Sequence, residues 1–324
     1  MDSAPSDDRA VGTTFFTDTT RKIIATNDSP DVGFEASINA YRGCEHGCVY
    51  CFARPGHEYL GLSAGLDFET KIMVKLDAAK LLRAELSDEK WEPKVLQISG
   101  VTDCYQPVER RLKLTRACLE VLAEFRNPVT IVTKNHLVTR DIDLLGELAR
   151  RKCAAVMMSI TTLDKSLTMK MEPRTSVPQR RLDAIAELSQ AGIPVGVMAA
   201  PIIPGLNDRE MPEILSAAVE AGAKFAGFTI VRLPFAVKEL MANWLERHFP
   251  DRKDKILNRI REIRDGKLND SNFGSRMSGH GIWAQQLKAM FEMSKKKAGM
   301  TESFPQLSTT AFRRAQMELW GNAE

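Results

Sequence analysis

The sequence predicts an α/β fold, a partial (β/α)6 TIM barrel followed by a C-terminal helical appendage. Short apolar runs rich in β-branched residues recur along the chain, as expected of strands buried on both faces. Amphipathic helical patterns lie between these runs, and this alternation requires parallel strands joined by right-handed crossovers. The predicted strands are residues 37–41, 95–99, 129–133, 155–160, 194–199 and 226–231.

Three of the intervening segments carry an apolar stripe at helical spacing. The first stripe consists of Leu114, Ala117, Cys118, Val121, Leu122 and Phe125. The second lies in residues 182–189 before Gly192, and the third lies in residues 211–221 before Gly222. Glycine is common just after a helix, so both helices are expected to end there. Six strand–helix units are visible, whereas a complete barrel of this type has eight. The periodicity leaves an open doubly wound sheet as the alternative.

The chain divides into three predicted regions. Residues 1–30 are polar and show no periodicity, which is typical of a flexible segment. Residues 31–236 contain the strand–helix alternation of the barrel. Residues 237–324 are predicted to form a mainly helical appendage with a glycine-bearing loop at residues 272–281.

The net charge is +3, and its distribution favours the appendage as a contact surface. From Lys238 onward the chain has 16 Lys and Arg against 11 Asp and Glu. A mildly basic appendage could contact DNA or RNA, and a solvated helical surface explains the charge equally well.

Composition also bears on the compartment. Of the 324 residues, 44% are apolar, enough for one large α/β domain. No run approaches the roughly 18 apolar residues of a membrane helix, and the first residues lack the basic-then-apolar pattern of a secretion signal. We therefore expect a cytoplasmic protein without membrane association; the sequence does not indicate the oligomeric state.

Cysteine spacing is the main indication of chemistry. Three of the six cysteines lie within eight residues, and the other three stand singly at Cys104, Cys118 and Cys153. Disulfide scaffolds are typical of short secreted chains. Clustered thiols in an intracellular chain indicate a metal centre instead.

The clustered cysteines are Cys44, Cys48 and Cys51, directly after the first predicted strand. Active sites of barrels form at this end of the strands. A 4Fe–4S cluster is usually held by four thiolates, and this loop supplies three. Gly43 and Gly47 give its backbone freedom to wrap around a cluster. Three ligands would leave one iron open to an external chelator.

Two other interpretations of the cysteines stay open. A zinc site could take His46 or His57 as its fourth ligand. An electron-transfer cluster could take Cys104. Either interpretation describes a non-catalytic iron–sulfur or zinc protein that transfers electrons or binds nucleic acid.

The C-x3-C-x2-C spacing, with Tyr50 before the last cysteine, resembles the motif of the radical S-adenosylmethionine (SAM) superfamily. The similarity extends over about residues 35–290, toward an uncharacterised bacterial subfamily near spore photoproduct lyase. The segments that carry it are YRGCEHGC at 41–48, RPGHEYLG at 54–61, DFET at 67–70, SGVTD at 99–103, EPR at 172–174, PIIPGLND at 201–208 and FGSRM at 273–277.

The resemblance implies a reaction type and its cofactors. In this superfamily three cysteines hold a 4Fe–4S cluster, and the open iron binds the amino and carboxylate groups of SAM. An electron from the reduced cluster cleaves SAM into methionine and a 5′-deoxyadenosyl radical that abstracts hydrogen. The implied partner is a reductant such as flavodoxin or ferredoxin. Fold and reaction class do not identify the substrate; DNA or RNA is the first expectation, for a lyase- or transferase-like reaction.

The resemblance also points to residues around SAM. Tyr50 is expected to contact the cofactor. Ser99 and Gly100 end the second strand, where family members use backbone groups to receive the methionine amino group, and glycine permits close approach. Ser159 is the candidate for a ribose hydroxyl, with a bond to nearby backbone as the alternative. Arg174 could clamp a carboxylate through two hydrogen bonds, and an internal pair with Glu172 is the alternative.

Cys104 and Tyr105, just past the second strand, are the predicted catalytic residues. A thiol and a phenol are the side chains best suited to donate or relay a hydrogen atom. The alternative for Cys104 is a buried cysteine acting as a small apolar residue. Spore photoproduct lyase carries a hydrogen-donor cysteine close to the end of its second strand, and Gly100 stands at the corresponding position here.

Overall fold

The fold is described from a computed structural model, which covers residues 12–314. The strands are β1 Thr14–Thr17, β2 Ile24–Thr26, β3 Ala36–Ile38, β4 Tyr41–Arg42, β5 Lys71–Val74, β6 Leu96–Ile98, β7 Val129–Thr133, β8 Ala154–Ser159, β9 Val195–Ile202 and β10 Phe225–Ile230. The α-helices are α1 Leu66–Thr70, α2 Ala78–Ser87, α3 Glu109–Leu112, α4 Leu114–Phe125, α5 Ile142–Ala149, α6 Lys165–Met171, α7 Pro178–Gln190, α8 Met211–Glu220, α9 Val237–His248, α10 Lys253–Glu262 and α11 Gly281–Lys297. Short 3₁₀ helices span Arg54–Leu60, His136–Asp141, Asp208–Glu210 and Pro250–Arg252.

The main sheet has the strand order β10-β9-β8-β7-β6-β3-β2. From β3 to β10 all neighbours are parallel, and β2 pairs antiparallel with β3 at one edge. The two ends of this order are β2 and β10, so the sheet is open. Each of the six predicted strands overlaps one of the six parallel strands. The predicted partial barrel is therefore confirmed.

Burial explains why these segments form the barrel. All six residues of β8 are buried, in keeping with its apolar sequence. The predicted stripe on α4 is also confirmed, with Leu114, Cys118, Val121, Leu122 and Phe125 all buried. Gly192 and Gly222 follow α7 and α8 with φ of +74° and +106°, a conformation that glycine adopts without strain.

A second sheet of three strands, in the order β1-β5-β4, supports the cysteine loop. The first predicted strand, residues 37–41, is divided between the two sheets, since β3 belongs to the main sheet and β4 to the second. Residues 14–17 and 24–26 form β1 and β2, so the prediction that residues 1–30 are flexible is wrong for these two segments. Residues 1–11 lie outside the described chain.

The C-terminal region consists of α9, α10 and α11 and an extended stretch that follows them. Helix α11 packs against the barrel at β10, where the rings of Phe228 and Phe291 lie 4.6 Å apart between centroids. The extended stretch returns to the barrel, as the Ser308 N–H donates to the Lys152 carbonyl over 2.8 Å. Residues 315–324 of the predicted appendage fall outside the described residues.

Within residues 12–314, no helix combines the length and the apolar character needed to cross a membrane.

Candidate cluster and cofactor site

The three clustered cysteines line one cleft beside the carboxyl ends of β6 and β7. We call it the cysteine cleft; it is lined by Cys44, His46, Cys48, Cys51, Phe52, Ser99, Gly100, Val101, Thr102, Asp103, Val132, Thr133 and Lys134. Its space is about 570 Å³, including the part that is open to solvent. Pockets of this size bind small molecules and cofactors. The sequence prediction that the loop and the second strand share one site agrees with this geometry.

The thiols of the loop are free and mostly shielded from water. Cys44 and Cys48 are buried, and Cys51 is partly exposed. Burial raises the pKa of the Cys44 and Cys48 thiols, and the Asp103 carboxylate raises that of Cys44 further. Without a bound metal both would be protonated at neutral pH. A coordinating metal reverses this preference, because it binds the thiolate.

One buried arginine fixes the loop backbone. Arg54 is 2% exposed, and its guanidinium donates to the Cys48 carbonyl over 2.9 Å and to the Gly47 carbonyl over 3.0 Å. It also donates to the carbonyls of Ala64 and Gly65. These bonds hold the loop between Cys44 and Cys51 in one conformation.

Glu69 connects Arg54 to a second arginine, Arg174. One carboxylate oxygen of Glu69 lies 2.5 Å from Arg54, and the other lies 2.5 Å from Arg174. The Arg174 guanidinium also donates to the Glu45 carbonyl. The predicted role of Arg174 was to clamp a carboxylate of SAM, but here it holds the cysteine loop. Its sequence neighbour Glu172, the alternative partner, pairs instead with Arg181.

Gly43 and Gly47 are the positions where the loop requires glycine. Both have positive φ, +85° at Gly43 and +68° at Gly47. A Cβ at Gly47 would lie 2.5 Å from a guanidinium nitrogen of Arg174 and 2.6 Å from a carboxylate oxygen of Glu69. A Cβ at Gly43 would lie 2.9 Å from the Phe68 carbonyl oxygen. The predicted need for glycine here thus has two causes, backbone conformation and close packing.

Tyr50 and Ser159 lie behind the cleft rather than in its lining. The Tyr50 hydroxyl donates to Glu172, which also accepts from Thr161 over 2.6 Å. The Ser159 hydroxyl donates to the Ala200 carbonyl over 3.2 Å. Ser159 therefore follows the alternative raised from the sequence, a bond to nearby backbone. Neither residue lines the cysteine cleft, so the structure gives no support for their assignment to the cofactor.

Ser99 and Gly100 do line the cleft. Ser99 has a φ of +78°, a conformation that costs a residue other than glycine about 1–2 kcal/mol. The Asn39 side-chain oxygen accepts from the N–H groups of Gly100 and Val101 over 3.0 and 3.1 Å. Strained residues held by surrounding bonds are common at ligand sites, which is in keeping with the predicted role of this turn.

Asp103 and His46 form a polar network that the sequence analysis did not identify. His46 Nδ1 lies 3.4 Å from the Asp103 carboxylate oxygen Oδ2, and His46 Nε2 lies 3.3 Å from the Asn135 amide nitrogen Nδ2. Burial raises the pKa of Asp103, but His46 and the hydrogen bond from the Lys134 N–H outweigh burial, so this pKa lies well below its usual value. Both ring nitrogens of His46 are in use, which argues against it as a zinc ligand. The location of Asp103 in the SGVTD segment was the only sequence signal.

Cys104 and Tyr105 point away from the cleft into the core. Cys104 is 5% exposed and Tyr105 is fully buried, and neither lines the cleft. The Tyr105 hydroxyl donates to Asp141 over 3.1 Å, and burial raises the pKa of both side chains. The assignment of these residues as hydrogen donors is therefore not supported by the geometry. The chain turns inward after Asp103, and sequence position alone could not show this.

The family model of the radical SAM superfamily matches residues 38–218, more than half of the chain. The chain belongs to the radical SAM superfamily. It is therefore a radical SAM enzyme, with a 4Fe–4S cluster and SAM as its cofactors. The interpretation as a non-catalytic zinc or electron-transfer protein is set aside on this ground.

Proteins with sequences similar to this chain include uncharacterized proteins and a named enzyme. One uncharacterized protein, from Mycobacterium tuberculosis, is 36% identical over 234 residues, which cover 71% of this chain and 67% of the relative. The radical SAM Nα-GlyT isomerase of Pseudomonas phage M6 is 27% identical over 204 residues, covering 59% of this chain and 40% of that enzyme.

Among solved structures, spore photoproduct lyase has the same fold. A mutant of that enzyme with bound AdoMet and dinucleoside spore photoproduct matches with a TM-score of 0.65 and 18% identity, over 91% of this chain and 82% of the lyase. At this identity the likeness shows a shared fold. It also supports the sequence-based resemblance to proteins near this lyase.

Proposed function

We propose that this radical SAM enzyme binds its cluster through Cys44, Cys48 and Cys51 and acts on a nucleoside unit of DNA or RNA, in a lyase- or transferase-like reaction. The observation that carries the proposal is the cysteine cleft, which all three thiols line together with the turn at Ser99 and Gly100.

The residues of the cleft fit a cluster with three protein ligands. The three thiols are free, and Cys104, the candidate fourth thiolate, does not line the cleft. Among the described residues, no group of three His, Cys, Asp or Glu side chains is spaced to hold a single metal ion. A cubane distributes its thiolates over different iron atoms, so it does not need that spacing. When bound, the cluster supplies the electron for reductive cleavage of SAM.

The protein's own residues bind and orient. In this proposal the turn at Ser99 and Gly100 receives the amino group of SAM through backbone carbonyls. Arg54 and Arg174 hold the cysteine loop, as their bonds to its carbonyls and to Glu69 indicate. Lys134 lines the same cleft and offers a positive charge for the carboxylate of SAM, the role first assigned to Arg174.

Two considerations favour a nucleic-acid substrate. The spore photoproduct lyase with the same fold has been solved with a dinucleoside photoproduct bound. The region from Lys238 onward carries an excess of basic residues, and such excess attracts phosphate backbones. The resemblance in sequence aligns Gly100 with the donor cysteine of the lyase, so the lyase's own repair reaction is not part of the proposal.

The test is a reaction of the anaerobically reconstituted full chain with SAM, a reductant, and plain or UV-irradiated DNA and RNA. We expect 5′-deoxyadenosine together with a nucleoside of altered mass after enzymatic digestion. Cys48→Ala and omission of the reductant serve as controls that should give neither product. If 5′-deoxyadenosine forms while no nucleic acid is altered, the substrate class is wrong. If 5′-deoxyadenosine does not form, the assignment of the cleft is wrong.

A further inference from the structure

A second cavity lies at the same end of the barrel, outside the cysteine cleft. Its walls come from residues 205–209 after β9, from the end of the Pro250–Arg252 3₁₀ helix and the first part of α10, and from residues 283–290 of α11. Its space is about 1160 Å³, including the part open to solvent. We call it the basic groove, because its charged lining consists of Arg209, Arg252, Lys255 and Arg259 against one carboxylate, Asp208.

Among residues 12–314, the cations of the basic groove form no salt bridge. Within the described chain, no carboxylate lies within 4.0 Å of the charged nitrogens of Arg209, Arg252, Lys255 or Arg259. Lys253, on the same helix but outside the groove lining, pairs with Glu246 over 2.7 Å. In the part of the chain that the structure describes, the Arg252 guanidinium donates to one group, the Gly205 carbonyl. The positive charge is therefore available to an anionic ligand.

An exposed indole lies among these cations. Trp283 on α11 is 39% exposed, and the Arg259 guanidinium carbon lies 4.1 Å from the centroid of its ring. This stacking fixes the direction of the guanidinium. Packing in the core does not explain Trp283, because this large aromatic side chain is in contact with water and lines the same groove as four cations. A nucleic acid has both groups that such a surface binds, phosphates for the cations and bases for the aromatic ring.

We propose that the basic groove binds a single-stranded segment of nucleic acid next to the nucleotide that reacts. This inference rests on the proposed function and adds a binding site to it. The phosphates contact Arg209, Arg252 and Lys255, and a base or sugar packs on Trp283. The loop after β9 and the turn after β6 both follow carboxyl ends of parallel strands, so a polymer in the groove runs along the end of the barrel that carries the cysteine cleft. DNA and RNA share this chemistry, and the experiment separates them.

The experiment measures binding of a labelled oligonucleotide of about 12 nucleotides to the reconstituted full chain by fluorescence anisotropy, over a series of salt concentrations. Single-stranded DNA, RNA of the same sequence and the DNA duplex are compared. Arg252→Gln/Lys255→Gln removes two cations, so the slope of log K against log salt should become less negative by about 1.4. Lys253→Gln is the matched control, because Lys253 lies on the same helix outside the groove, and its slope should equal that of the wild type.

Trp283→Ala tests the stacking contact separately. Loss of one stacked base should weaken binding about 5- to 150-fold with an unchanged salt slope. Trp283→Phe should restore most of the affinity. Melting temperature and iron content identify any variant that fails to fold, and Arg252 and Lys255 are exposed, so their double variant should fold.

The outcomes separate the two proposals. If the wild type binds single strands but the double variant keeps its affinity and slope, the groove is not the site and the nucleic-acid substrate survives. If the wild type binds no oligonucleotide at low salt, the substrate class fails and the groove proposal fails with it. Tighter binding of the duplex than of either single strand contradicts a stacked base. Equal binding of inorganic tripolyphosphate would identify the groove as a site for small polyanions and overturn the proposal.

Discussion

The cysteine loop and the basic groove both lie at the carboxyl end of the barrel, yet they use basic side chains in opposite ways. At the loop, Arg54 and Arg174 share the carboxylate of Glu69 and donate to loop carbonyls. In the groove, Arg252 and Lys255 have no carboxylate partner among the described residues and are exposed. The first pair stabilises a fixed loop, whereas the second leaves its charge free for a ligand.

This difference shows where sequence-based assignment of arginines fails. Arg174 follows Glu172 in the segment between α6 and α7, and its type and place in the sequence suggested a clamp for a carboxylate of SAM. In the structure Arg174 does bind a carboxylate, but that carboxylate is the side chain of Glu69 in the same protein. A basic residue in a predicted active-site loop therefore indicates ligand binding only if no protein carboxylate already neutralises it.

The largest expected effect is loss of the cluster. Cys44→Ala, Cys48→Ala and Cys51→Ala should each reduce iron from about four per chain to near zero after anaerobic reconstitution, because each thiolate binds a different iron. SAM cleavage should be abolished as well. Cys118→Ala is the matched control: it removes a buried thiol from α4, should keep the iron and should cost about 1 kcal/mol of stability. Near-normal 5′-deoxyadenosine formation by any of the three variants contradicts the ligand assignment.

The two loop arginines should differ in their effects on stability. Arg54→Ala leaves Glu69 and several carbonyls without their buried partner, and should reduce the free energy of unfolding by about 3–5 kcal/mol. Arg174 has a side chain that is 43% exposed, so Arg174→Ala should cost about 1 kcal/mol or less.

Chemical denaturation measures the free energy of unfolding of both variants. Arg180→Ala serves as a control, because it removes an exposed ion pair, the one between Arg180 and Asp183. Isothermal titration should show little change in SAM affinity for the folded, iron-loaded Arg174→Ala protein. A large loss of SAM affinity with unchanged stability would restore the sequence-based assignment of Arg174.

The smallest effects are expected at the residues first assigned to catalysis. Cys104→Ala and Tyr105→Phe should each cost about 1 kcal/mol, through lost packing or the lost bond to Asp141. Both variants should keep their iron and still cleave SAM. Loss of iron from Cys104→Ala would make Cys104 a fourth ligand. If one of these variants still cleaves SAM but no longer forms the altered nucleoside, the substituted residue is a hydrogen donor.

The parts of the molecule that depend on local pattern were predictable. Strand β8 and helix α4 carry clear periodicity, and the cysteine spacing is a local motif. Strand β1 was not predicted because its sequence does not show the apolar pattern that marks the barrel strands. Its partner, β5, also lies more than 50 residues away in the chain. The direction of Cys104 was missed for a related reason. Whether a residue just past a strand points into the cleft or the core depends on how the chain turns, and that is set by tertiary contacts such as the bond between Thr115 and the Cys104 carbonyl.

The central claim, that three cysteines hold a cluster with one iron open to SAM, is tested most directly by electron paramagnetic resonance. The spectrum of the reduced, reconstituted chain is recorded with and without SAM. We predict the signal of a reduced 4Fe–4S cluster that changes when SAM is added, because SAM binds the iron that lacks a protein ligand. A signal that SAM leaves unchanged would show that the protein already fills the fourth position, and would contradict the account.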